Sequence, residues 1–114
     1  MNDLTSESEP AFHLFLDTDE RPVAASALRL LIVDEAHQPD IRRLARGVLG
    51  RIDAEFEGDA LRLPLSAPEM KIVYTAVRLL LNDLQREQDA ERQILWRIVE
   101  KLPDEHAIRA IALE

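Results

Sequence analysis

The feature that most restricts how this chain can fold is an internal repeat. Residues 12–50 laid without gaps on residues 61–99, an offset of 49, share ten identities: Leu14/Leu63, Leu16/Leu65, Glu20/Glu69, Ala27/Ala76, Arg29/Arg78, Leu30/Leu79, Leu31/Leu80, Asp34/Asp83, Asp40/Asp89 and Arg43/Arg92. Val23/Ile72, Ser26/Thr75, Leu28/Val77 and Ile32/Leu81 are conservative matches between them. Roughly three identities are expected at average residue frequencies. The matches run in one order through three successive kinds of pattern, which reads as a duplicated unit.

The first pattern is strand-like. "FHLFLD" sets Phe12, Leu14 and Leu16 against His13 and Phe15, and "LRLPLS" sets Leu61, Leu63 and Leu65 against Arg62 and Pro64. Such period-two alternation marks a half-buried strand. Pro64 has no N–H to donate, so its strand belongs at an edge or shows that position to solvent.

A helix start follows in both units. "SAPE" (Ser66 to Glu69) is a capping box, in which the serine side chain accepts from the N3 amide while the N3 glutamate reaches back. "DTDE" (Asp17 to Glu20) offers the same device with Asp as cap. Apolar residues then recur at helical spacing through Val23–Ile32 and Ile72–Leu84. Leu30, Leu31, Leu79 and Leu80 are expected to meet in one shared core.

The third pattern is a second helix. Ile41, Leu44, Ala45, Val48, Leu49 and Ile52 form one stripe, with Arg42, Arg43, Arg46 and Arg51 off it. Ile94, Leu95, Ile98, Val99 and Leu102 form the other stripe, ended by Pro103. Asp40 and Asp89 read as the caps. An additional strand is expected near residues 53–57, with a hairpin at Gly58-Asp59. The tail 104–114 suits a helix by Ile108 and Ile111 or a strand by Ile111 and Leu113, and a final strand is the expectation.

"LRLLIVDEAH" carries the lettering of a helicase-type Walker B strand. Such an acidic pair acts on magnesium held with a nucleotide, and that requires a Gly-x-x-x-x-Gly-Lys-Ser/Thr loop. The three glycines are Gly47, Gly50 and Gly58, and none precedes a lysine. The repeat also aligns "LLIVDEAH" with "LLLNDLQR", late in a capped helix. Asp34-Glu35-Ala36-His37 is therefore expected to form the last turn of a helix, and no nucleotide is expected. Asp34 and His37, at i and i+3, could share a metal ion on one helix face. The corresponding pair in the other unit is Asp83 and Arg86, and an arginine cannot be a ligand.

Charge narrows the partners. The net charge is −8, yet residues 1–20 hold six acidic groups and no Lys or Arg. The remaining 94 residues carry 16 acidic and 14 basic side chains. Without a concentrated basic face, general binding to nucleic acid is not expected. The absence of cysteine fits a reducing cytoplasm. No apolar run approaches the roughly 20 residues of a membrane span, and the N-terminus has no signal-peptide pattern. Residues 1–10 are expected to be disordered. Twelve Arg against two Lys, with abundant Ala and Leu, suggests a bacterial chain of high-GC origin.

These readings give one α+β domain over 11–114: repeat 1 over 11–52, repeat 2 over 60–103, and a C-terminal segment 104–114. About four helices pack on a small, mostly antiparallel sheet with pseudo-twofold symmetry. No residue is assigned as catalytic, cofactor-binding or metal-binding, and no cofactor is expected. The function expected is that of a cytoplasmic, non-enzymatic interaction or regulatory protein, with a protein partner or self-association and Trp96 as a candidate anchor. The alternatives are a metal-dependent or acid–base enzyme using Asp34 and His37, and a nucleic-acid binder using Arg42, Arg43 and Arg46.

Overall fold

A computed structural model of the protein describes residues 12–33, 39–54, 60–84, 88–103 and 105–111. The expectations for residues 1–10, for Asp34 to His37 as a helix end, and for a strand and hairpin over 55–59 lie outside the described residues. The elements are β1 (Phe12–Leu16), α1 (Glu20–Val33), α2 (Pro39–Ala54), β2 (Leu61–Leu65), α3 (Ala67–Asp83), α4 (Asp89–Lys101) and α5 (Glu105–Arg109). Among the described residues the fold is mostly helical, five helices with one two-stranded antiparallel sheet.

Both strands form where alternation places them. Leu14 and Leu16 of β1 and Leu61, Leu63 and Leu65 of β2 face the core, while His13, Phe15, Arg62 and Pro64 face solvent. The register pairs Phe12 with Leu65, Leu14 with Leu63 and Leu16 with Leu61. Exchanging the strands by the offset of 49 returns the same pairs, with Leu14 opposite its own counterpart Leu63.

The helix starts also behave alike. Ser66 Oγ accepts from the Glu69 amide at 3.2 Å, and Glu69 Oε1 accepts from the Ser66 amide at 2.8 Å. Asp17 and Glu20 make the same reciprocal pair, both at 2.9 Å. Each box satisfies two amides that the first helical turn leaves without a partner. From there α1 buries Val23, Ala24, Ala27, Leu28 and Leu31, and α3 buries Ile72, Val73, Ala76, Val77 and Leu80. Together with Ala45, Val48 and Ile52 of α2 and Leu95 and Ile98 of α4, these side chains form a single core under the sheet.

Four details differ from the sequence reading. First, the second helices correspond at an offset of 50 and not 49: Ala45, Val48 and Ile52 occupy the buried positions that Leu95, Ile98 and Leu102 occupy. At that offset Asp89 corresponds to Pro39 and Arg92 to Arg42, so the Asp40/Asp89 and Arg43/Arg92 identities do not follow the burial pattern of the second helices. Second, Asp40 and Asp89 lie inside the first turns of α2 and α4. Gln88 stands at the N-cap of α4 and makes no side-chain cap bond. Third, α2 runs on to Ala54, so the expected strand cannot begin at 53.

Fourth, the C-terminal segment is helical over Glu105–Arg109, where a strand was the expectation, while residues 104 and 112–114 lie outside the described residues. The sheet explains why. Pro64 has no N–H for a third strand, and the Pro64 and Phe15 carbonyls are already taken by Arg51 Nη1 at 2.7 Å and Lys101 Nζ at 2.9 Å. With the edges closed in this way, the tail coils and buries Ile108 against the core instead.

Candidate interaction surfaces

Residues 28–33 complete α1. A Walker B aspartate must follow a buried central strand, so the helical backbone up to Val33 removes that geometry. Asp34 and His37 themselves fall outside the described residues. His13 is exposed on the outer face of β1 and His106 is exposed on α5. Among the described residues no group of three or more histidine or carboxylate side chains could hold a metal ion. None of the described helices is long and apolar enough to cross a membrane.

The arginines of α2 do not stand as three free cations. Arg43 pairs with Asp40 on the preceding turn, and Arg42 is half-buried while Arg46 is exposed. Arg51, the fourth, is committed to Pro64 and to Glu69, whose carboxylate lies 2.9 Å away.

Glu20 was legible in the sequence only as a capping residue, yet it is 1 % exposed and gathers a cluster. Lys101 of α4 donates to its Oε1, the Asp17 amide donates to the same oxygen, and Arg97 lies 3.7 Å from Oε2. Lys101 thus joins the Phe15 carbonyl and Glu20 of the first unit, as Arg51 joins the Pro64 carbonyl and Glu69 of the second. Each unit's last helix holds the other unit's strand and helix start. Taking two charges from water is costly unless hydrogen bonds replace the solvent, and at Glu20 a backbone amide and two cations do so.

Two open surfaces stand out among the described residues. At the C-terminal ends of α1 and α3, Leu30, Val33, Leu79, Asn82 and Asp83 line a shallow depression of about 360 Å³. Leu31 and Leu80 are buried as expected, but Leu30 and Leu79 are half-buried and belong to this surface, which corrects the reading of four core leucines. Val33 is 70 % exposed. Between α3 and α4, the Arg78 guanidinium lies over the Trp96 ring at 5.4 Å, and Trp96 is 44 % exposed.

The second open surface is a groove of about 690 Å³ along α1, walled by Thr18, Arg21, Pro22, Ala25, Ser26, Arg29, Ile52 and Asp53. Arg21 is buried and donates to the Ile52 carbonyl at 2.5 Å. Arg29 meets Asp53 at 3.4 Å, with both side chains about half exposed. No spacing in the sequence announces this groove, because its walls come from two separate segments, Thr18 to Arg29 and Ile52-Asp53.

Comparison with protein-family models, with curated proteins and with solved structures finds no match.

Proposed function

We propose that this chain is a non-enzymatic interaction protein of the cytoplasm, acting through protein–protein contacts made by the joined ends of α1 and α3. One observation carries the reading. The last turns of α1 read Leu30-Leu31-Ile32-Val33, apolar on every side, yet Leu30 and Ile32 are half-buried and Val33 is exposed. A surface helix is normally polar on its outer face, and one that is apolar all round is normally covered. Val33 with Leu30 and Leu79 is therefore the surface a partner would cover, with Asn82 and Asp83 as its polar rim.

We read the two strand–helix–helix units as a duplication with a pseudo-twofold axis through the Leu14–Leu63 pair. The strand register, the two capping boxes and the crossed contacts of Arg51 and Lys101 support that reading. Because both units contribute one helix end to the proposed contact surface, a partner would bridge the two halves.

Affinity capture from the source organism with the full chain, beside a Val33→Glu variant, tests the proposal. A protein or second copy enriched by the parent chain and lost with the variant is expected, with unchanged thermal stability. Equal recovery by both chains would refute it.

A further inference from the structure

Neither half of the chain completes a sheet by itself. The half up to Ala54 supplies β1 and the half from Leu61 onward supplies β2. Among the described residues each strand pairs with no strand but the other, so separating the halves would leave both sets of backbone groups unpaired. The polar ties cross in the same sense. Lys101 reaches the Phe15 carbonyl and Glu20, Arg97 lies beside Glu20, and Arg51 reaches the Pro64 carbonyl and Glu69. The helices follow: α1 packs on α3 and α4, and α2 packs on α3. Leu14, Leu28 and Leu31 of the first half therefore share one core with Leu63, Val77 and Leu95 of the second.

One covalent connection joins these halves, the residues between Ala54 and Leu61, which read Glu-Phe-Glu-Gly-Asp-Ala. Fully extended, it reaches at most about 25 Å. We propose that the core is an exchangeable interface: the first half of one copy closes on the second half of another, giving a symmetric dimer with two complete cores. The partner is a second copy of this chain, because an identical chain offers the β2 register, the Glu69 and Lys101 ties and the Leu63, Val77 and Leu95 side chains together. Exchange keeps every contact between the halves and alters only the path of the connection, which makes it a low-cost route to a dimer. A tether this short holds its ends at a roughly millimolar effective concentration, so the closed monomer prevails in dilute solution and the dimer forms on refolding at millimolar chain. Neither the duplication nor the Val33 surface is required for this.

Two full-length variants make exchange visible. Glu20→Lys sets two ammonium groups together at the Glu20–Lys101 site, and Lys101→Glu sets two carboxylates there. In either variant alone, every closure, within a chain or between like chains, contains that like-charge pair. In a mixed dimer the introduced lysine faces the introduced glutamate in one core, and native Glu20 faces native Lys101 in the other. The variants, one of them ¹⁵N-labelled, are mixed in urea at millimolar concentration, refolded, and separated by size-exclusion chromatography with native mass spectrometry of the dimer peak. Dimers of one heavy and one light chain should exceed the two like dimers together by at least about tenfold, the equivalent of a 1.4 kcal/mol preference. Random pairing gives equal amounts, and that result would place the association on another surface and overturn the proposal. A mixture without mixed dimers, whether it holds folded monomers or no folded species, would overturn it as well.

Discussion

Glu20 is the residue whose perturbation tests the architecture most sharply. It is buried, and its carboxylate receives Lys101, the Asp17 amide and Arg97. Glu20→Gln keeps the volume and an oxygen for the cap but removes the charge. A hydrogen bond to a charged group contributes about 1.5–3 kcal/mol. Removing one partner of a fully buried pair costs about 3–5 kcal/mol, but Lys101 and Arg97 are 37 % and 48 % exposed and recover water when the charge goes. The smaller range applies, so we expect a loss of about 1.5–3 kcal/mol. Glu69 occupies the same place in the second unit but is 24 % exposed, beside an Arg51 that is 40 % exposed. Exposed pairs contribute at most about 1 kcal/mol, so Glu69→Gln should cost under about 1 kcal/mol.

Urea denaturation at neutral pH, followed by circular dichroism, measures both, provided the slope with denaturant is unchanged. A double-mutant cycle of Glu20→Gln with Lys101→Met should give a coupling of about 1–2 kcal/mol, within the range for directly contacting residues. Equal costs at Glu20 and Glu69, or a coupling near zero, would refute a buried bridge between the units.

Leu31 is fully buried and Leu30 is half-buried on the surface depression; Leu31→Ala should cost about 2–5 kcal/mol and Leu30→Ala clearly less in the same urea assay. Gly47 and Gly50 lie inside α2, with open space where a Cβ would stand. Each changed to Ala should raise stability by about 0.5–1 kcal/mol, and a loss at either site would mean that its surroundings are misjudged. Removing the cap with Ser66→Ala should cost about 1 kcal/mol, read as a lower midpoint in thermal unfolding.

The parts of the fold legible in the sequence are those set by local chemistry. Alternation in "FHLFLD" and "LRLPLS" placed both strands, and Asp17–Glu20 and Ser66–Glu69 placed two helix starts, because a cap needs only residues three apart. What escaped depends on distant neighbours. Arg51 and Lys101 take corresponding positions at an offset of 50, so an ungapped comparison at 49 could not pair them or show that they hold Glu69 and Glu20. The tail was misread because Ile108, Ile111 and Leu113 satisfy two periodicities. The choice was made by sheet edges already closed by Pro64, Arg51 and Lys101. Leu30 and Leu79 looked like core for a similar reason: periodicity shows that a residue is apolar on a helix face, but not whether another element covers that face. The groove of α1 left no local signature at all.

The crossing of the two units depends on β1 and β2 running antiparallel about Leu14 and Leu63, and nuclear Overhauser contacts between α-protons report this directly. Pro64 lacks an N–H, so its pair with His13, and by alternation the Phe15–Arg62 pair, are the closely spaced ones, with Cα atoms about 4.5 Å apart. A strong cross-peak between the α-protons of Phe15 and Arg62 is expected in the folded chain. Its absence, with Phe15 contacting some other strand or none, would contradict the interlocked arrangement.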